Sequence, residues 1–411
     1  MSPRFGDLDL PPDLDNALAE GRLVVFAGAG VSVSPPSSLP TFDGLTEEIG
    51  KGADPQLENE PFEVYLGRLV SGGVQVHEVA SRILSDPASQ PNALHRAIAG
   101  LWRSAGDVRI VTTNFDRHFE AVLRERWPES APEQWAAPAF PVGSSFTGLV
   151  YLHGRLGRPG RLVLTDIDFG RAYLTEGWAR RFLTALFQKY AVLFVGYSHK
   201  DTVLSYLARG LAPTREARRF ALTDEDEPSR WRLLGVEPIT YNPANYHAAV
   251  LESMQRWGEL RSGGAIQHQE RVTLLCTAPP ISRQDGDYLL WCLDRPNLAQ
   301  FFIRAARGVE WIEWLHAEGR LLSLLSASEI GEREIALLHW IAREMCGSED
   351  AIERSLNLLA STQVTISDAF FRALANALWL RVDGSDDHQG EVDASTAKAI
   401  LFLLPRRPAN L

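Results

Sequence analysis

The chain has 411 residues, 45% hydrophobic and 23% charged, a globular composition with length for two or three domains. Its net charge of -11 at pH 7 argues against a general nucleic-acid binder, which gains affinity by neutralising phosphates. No apolar run approaches the roughly 20 residues that span a bilayer, and Met1 opens onto no basic-then-apolar signal, so a cytoplasmic protein with no membrane partner is expected.

In chain order, short runs rich in Val, Leu, Ile or Phe and bounded by Gly, Pro or Asp predict strands over residues 22–27, 108–112, 149–153, 161–164, 192–195, 219–222 and 238–241. Helical patterning between them predicts helices over 61–69, 92–104, 115–126, 178–190 and 202–211. Such alternation marks an α/β layered domain: a Rossmann-like parallel sheet with helices on both faces. The block at about 45–106 is too long for one crossover helix and is expected to be a small helical insertion. Arg155, Arg158 and Arg161, and again Arg215, Arg218 and Arg219, read as solvated faces.

A Ser, Gly and Gln break at residues 261–269 ends the strand signal. Beyond it Phe302, Ala305, Ala306, Val309 and Ile312 follow helical spacing, as do Leu338, Ile341, Ala342 and Met345, then Phe371, Leu374 and Leu378. Residues 384–393 read as an acidic loop. The expected organisation is a first domain over residues 1–265 and a mainly α-helical domain over 266–411. Residues 403–411 give no helix stop beyond Pro405, as the start of a longer C-terminal region would. Trp291, Trp311, Trp314, Trp340 and Trp379 are expected to pack its core rather than an interface. Cys276, Cys292 and Cys346 are the only cysteines and form no C-x-x-C pair, which excludes a thiolate zinc ribbon and a disulfide framework.

Four predicted strands end on segments able to carry chemistry. The first runs into Gly28-Ala29-Gly30-Val31-Ser32, where glycines let the backbone approach a phosphate. Val33 stands where the dinucleotide fingerprint has its third glycine, so a structural turn is the competing reading. The second continues as Thr112-Thr113-Asn114-Phe115-Asp116, a ligand-binding cluster or a helix cap. The third closes on Tyr151-Leu152-His153-Gly154, whose histidine is catalytic or structural. The fourth leads into Gly196-Tyr197-Ser198-His199-Lys200-Asp201, a glycine turn followed by a hydroxyl and an acid suited to ribose hydroxyls. On one parallel sheet these ends converge on one edge, where open α/β folds bind ligands.

In this order the segments resemble the sirtuin family, specifically the bacterial silent-information-regulator-2-like domains of anti-phage defence that lack the zinc module. Gly28–Ser32 is similar to the G-A-G-[IV]-S loop that cradles the NAD pyrophosphate, so Gly28, Ala29, Gly30 and Ser32 are implied as binding residues. Leu39-Pro40-Thr41-Phe42 resembles I-P-D-F, which puts Phe42 by the nicotinamide ribose. Thr112–Asp116 resembles T-Q-N-I-D, Leu152-His153-Gly154 resembles L-H-G with its catalytic histidine, and Gly196-Tyr197-Ser198 is similar to the G-T-S of the adenosine side. Thr41 and Asp43 replace the usual Asp and Arg, Thr113 replaces a ribose-binding Gln, and no cysteine lies between His153 and Gly196.

The resemblance implies NAD+ as substrate and no metal: hydrolysis of the N-glycosidic bond to nicotinamide and ADP-ribose, in an effector that depletes NAD+ on infection. Asn114 would hold the attacking water and the nicotinamide ribose. His153 would be general base or ribose-hydroxyl partner, and Asp116 would stabilise the developing cation or orient the carboxamide. Gly196, Ser198 and Asp201 would bind the adenosine half, and Thr113 the ribose. A homo-oligomer gated by a phage-derived activator or a defence partner is expected. A sensor binding NAD or ADP-ribose without turnover is the alternative; a protein deacylase is disfavoured by the missing zinc module.

Overall fold

In the computed structural model, which describes residues 4–5, 8–197, 217–224, 229–242, 244–326, 331–360, 366–383 and 394–403, the chain divides into one unit over Arg4–Ser262 and a second from Gly263 onward. The first opens with a small antiparallel ribbon, β1 (Arg4–Phe5) with β2 (Leu8–Asp9), and helix α1 (Pro12–Ala19). Strand β3 (Leu23–Ala27) follows. Its unbroken Leu-Val-Val-Phe-Ala run is the composition of a strand covered on both faces, and all five residues are buried. The other strands of the main sheet are β4 (Arg109–Thr112), β5 (Gln134–Ala136), β6 (Gly148–Tyr151), β7 (Ala191–Val195), β8 (Arg219–Thr223) and β9 (Glu237–Thr240).

Among the described residues these seven strands form one all-parallel sheet in the order β5-β6-β4-β3-β7-β8-β9. Apart from the edge strand β5, this is the doubly wound order in which the chain winds outward from a central strand and then returns to that strand's other side. The switch point lies between β3 and β7. Val24, Phe26, Val111, Val150, Val192 and Phe194 point to one face and pack with Phe182, Leu183, Leu186 and Phe187 of a long helix, Trp178–Lys189. Their neighbours Leu23, Val25, Ile110, Leu149 and Leu193 point to the opposite face and are equally buried, so both faces carry helices. The expected α/β fold is the observed one.

Four helices lie between β3 and β4: α2 (Phe42–Ile49), α3 (Phe62–Ser71), α4 (Val76–Leu84) and α5 (Ala93–Ala99). Leu45, Ile49, Tyr65, Leu66, Leu69, Val76, Ala80 and Leu84 close a small core of their own with Phe115, Leu162 and Leu164. Next come α6 (His118–Arg126), α7 (Asp166–Gly170) with a π-helical turn at Arg171–Thr175, α8 (Trp178–Lys189), α9 (Ser229–Leu233) and α10 (Ala244–Ser262).

Several local expectations change. Arg161 ends a 3₁₀ turn, Pro159–Arg161, and the strip that follows it, residues 162–164, is not a strand. Leu162 and Leu164 enter the small helical core while Val163 enters the main one, an alternation that mimics a strand. Its amides bond locally instead: Leu162 N–H to Pro159 O, Val163 N–H to His153 O and Leu164 N–H to Asp168 Oδ2. The edge strand β5, Gln-Trp-Ala, is too short at three residues to carry a strand pattern in the sequence. The helix expected over 92–104 ends at Ala99, before Gly100, and that over 115–126 starts at His118. Arg219 is not part of a solvated face: it is buried on β8 with its guanidinium over the Phe187 ring. Arg155 is half-buried against Glu120 and Gln134. The helix expected at 202–211 and the loop at 384–393 lie outside the described residues.

The second unit is helical throughout its described residues, from Ala265–Leu275 to Ala394–Leu403. Phe302 packs among Trp311, Trp314 and Trp340, whose indole N–H donates to Ala306 O. Trp291 is buried too, but Trp379 is 67% exposed and is not core. The helical spacing from Phe302 to Ile312 belongs to two helices, Pro296–Ala305 and Glu310–Ala317, because Gly308 at φ +104° turns the chain between them. No helix of the described residues is long and apolar enough to cross a membrane.

Candidate functional site

Register brings the four motif segments to one edge. Ala27 pairs with Thr112 on one side and Val195 on the other, and Thr112 pairs with Tyr151. Gly28, Thr113, Leu152 and Gly196 are therefore the next residues in each row, at the carboxyl ends of adjacent strands. Thr113 N–H donates to Ala27 O and Leu152 N–H to Thr112 O, extending the ladder one step.

At the switch point the glycines allow two strand ends to close on each other. Gly28 N–H donates to Val195 O and Gly30 N–H to Gly196 O, both at 2.9 Å. A methyl on Gly30 would lie 2.8 Å from the Gly196 Cα, and one on Gly28 would collide with Gly196 O and the Tyr197 ring. Gly196 itself sits at φ +64°. The turn is thus structural, and it leaves Ala29 half-buried and Gly30 exposed at the edge.

Beyond the turn, Ser32 organises a buried polar cluster. Its Oγ donates to Asp116 Oδ2 at 2.8 Å and accepts from Asn114 Nδ2 at 3.2 Å. Asp116 Oδ1 also accepts from the His118 N–H, and Asn114 N–H donates to Thr112 Oγ1. Because the single Ser32 proton is committed to Asp116, the Asn114 amide must turn its NH₂ to Ser32. Its Oδ1 is then buried with no hydrogen-bond partner among the described residues. The Tyr151 hydroxyl is similarly buried and unpartnered, and burial, with the Asp116 and Glu120 charges, pushes its ionisation upward.

The sequence reading missed what stands behind this cluster. His95, on α5, is fully buried, with Nε2 3.3 Å from Ser32 Oγ and Nδ1 2.8 Å from Asn92 Oδ1. Burial, then the neighbouring His118 and Arg96, lowers its pKa to about 3, so it is neutral. Asn92 caps α5 and donates from Nδ2 to Val31 O and Ser34 O, tying the helix to the glycine loop. The Asn-x-x-His spacing of this capping box was the available signal.

His153 follows β6, next to the Asn114 segment; Leu156 N–H donates back to Phe115 O. It is 5% exposed, and its Nε2 lies 2.9 Å from the hydroxyl of Tyr173, which is equally buried. Phe169 stacks on Tyr173 and meets the His153 ring edge-on. Asp168 starts this segment, accepting from Thr165 N–H, Thr165 Oγ1 and His77 of α4 at 2.8–2.9 Å. Burial works against the His77 charge, but the Asp168 hydrogen bond dominates and raises its pKa. No sequence signal pointed to Tyr173 or His77.

Phe42 is half-buried at the start of α2, packing edge-on against Phe62, and Thr113 is half-buried at the sheet edge. Ser32, Asn114 and Asp116 are thus joined directly, with His153 on the neighbouring strand end and Phe42 in the helical layer. Ser198 and Asp201 lie outside the described residues. Among the described residues, no group of three or more His, Cys, Asp or Glu side chains is placed to hold a metal ion.

Two comparisons bear on this site. A model of the SIR2-like domain matches residues 108–239, which include Asn114, Asp116, His153 and Gly196 but not the Gly28–Ser32 loop. The chain is also similar to a protein of Sinorhizobium fredii described as uncharacterized protein y4cA, 30% identical over 418 residues that cover 90% of this chain and 34% of that protein. The chain therefore spans about a third of that relative's length. From the start of β4 into β9, the residues that build this sheet edge are a SIR2-like domain.

Proposed function

We propose that the α/β unit hydrolyses NAD+, releasing nicotinamide and ADP-ribose. SIR2-like domains bind NAD, and the observation that carries the reading further is the orphaned Asn114 Oδ1. A buried acceptor left without a donor costs about 1–3 kcal/mol. An O–H from water or a ribose hydroxyl would satisfy it.

The C1′–N bond breaks with its electron pair leaving on nicotinamide, which departs neutral, while positive charge builds on the ribose. The Asp116 carboxylate, held by Ser32 and the His118 N–H, stabilises that charge. Water held by Asn114 adds to C1′ and gives up a proton to Asp116 or to His153, whose other assigned role is to hold a ribose hydroxyl. Thr113 and Phe42 flank the nicotinamide ribose, and the Gly28–Ser32 loop with Gly196, Ser198 and Asp201 holds the pyrophosphate and adenosine. The reading extends to a cytoplasmic, NAD-depleting effector of anti-phage defence, homo-oligomeric and gated by a phage component or a partner protein.

The test is NAD+ consumption by wild type, Asn114→Ala and His153→Ala, with and without candidate activators. Loss of turnover on the order of 10²–10⁴ at unchanged thermal stability is expected for each variant. ADP-ribose binding without turnover under any condition would favour the sensor instead.

A further inference from the structure

We infer that Tyr173 is a positioning residue for this reaction, donating its hydroxyl proton to Nε2 of His153 and holding that imidazole in its Nδ1–H tautomer. The inference rests on the reading of His153 given above. Tyr173 Oη and His153 Nε2 are 2.9 Å apart, and both side chains are 5% exposed. A phenol is a strong donor and a weak acceptor, whereas a neutral imidazole nitrogen accepts strongly, so the bridging proton belongs to Oη. With Nε2 occupied as an acceptor, the ring proton sits on Nδ1.

Tyr173 is held from the core side. It packs with Val163, Ala172 and Phe182 in the main cluster and stacks on Phe169 at 6.0 Å and 12°. Its backbone is the π-helical turn Arg171–Thr175, which shifts side chains off the register of the preceding α-helix; such turns are frequent at functional sites. Asp168, pinned by Thr165 and His77, fixes where that turn begins.

The tautomer separates the two roles of His153. Presenting an N–H rather than a lone pair, His153 donates to a ribose hydroxyl oxygen, and the proton released by the attacking water goes to Asp116.

Nitrogen NMR of wild-type protein carrying ¹⁵N-histidine tests the tautomer without reference to turnover, the His153 signals being assigned by their loss in His153→Gln. The expected spectrum has a protonated Nδ1 and an acceptor-type Nε2, with the two forms mixing in Tyr173→Phe. In NAD+ kinetics, Tyr173→Phe should lower kcat about tenfold with KM changed less than about twofold, short of the roughly 10²–10⁴ lost on removing an acid–base group. A protonated Nε2 in wild type, or a tautomer unmoved by Tyr173→Phe, overturns the inference. Wild type that shows the expected tautomer but never consumes NAD+ overturns the hydrolase reading instead.

Discussion

One serine proton sets the orientation of the cluster. Ser32 Oγ–H goes to Asp116, which obliges Asn114 to offer its NH₂ and leaves its carbonyl oxygen for a ligand. Ser32→Ala removes both constraints at once. NAD+ turnover should fall on the order of 10²-fold, as when one preorganised donor is lost, while the cooperative melt persists; turnover equal to wild type would show that the serine does not orient the site. His95 makes a different prediction. Its folded pKa of about 3 lies below the ordinary 6.5, so the unfolded chain binds its proton first and stability drops as pH falls through that interval. Denaturant titrations at pH 7 and pH 4.5 should show a smaller loss in His95→Gln than in wild type, provided both fold at pH 7.

At the scale of elements, what the sequence discloses is whatever repeats along the chain. The buried strands β3, β4, β6 and β7 announce themselves by composition, and the glycine and polar runs that follow them fall at one edge because parallel register leaves no alternative. Contacts between distant elements are silent. Nothing around Tyr173 marks it as the partner of His153, and the strip at 162–164 alternates like a strand while serving two cores. Two predictions belong here. Gly196→Ala forces a Cβ into the Val31 amide at a positive φ, and a loss of roughly 1–3 kcal/mol with impaired NAD+ binding is expected, read by denaturant unfolding and calorimetric titration. The His77–Asp168 tie joins α4 to α7. His77's folded pKa is raised above 6.5, so its stabilisation is complete below that value and is lost as pH rises through the folded pKa. The melting difference between wild type and His77→Gln should therefore be largest near pH 6 and shrink toward pH 9.

For the whole molecule, an unregulated NAD+ hydrolase would starve its own cell, and the helical second unit carries Trp379, Leu380 and Leu401 exposed on its surface. Turnover per site should accordingly rise with protein concentration or with an activating partner; a constant specific activity across a dilution series by the full chain, with every candidate activator inert, would remove the gate.

The strip at 162–164 also bears on how such a protein can be altered. Leu162 and Leu164 fill the small core of α2–α4, Val163 fills the sheet's core, and the Val163 amide bonds the His153 carbonyl. The helical layer and the histidine segment are thus not interchangeable parts. A chimera that imports α2–α4 from a relative must import its 161–168 equivalent too, or the graft will misfit the strip that carries the histidine. Substitutions in the helical layer should correspondingly be inherited together with changes at 162 and 164, far away in the chain.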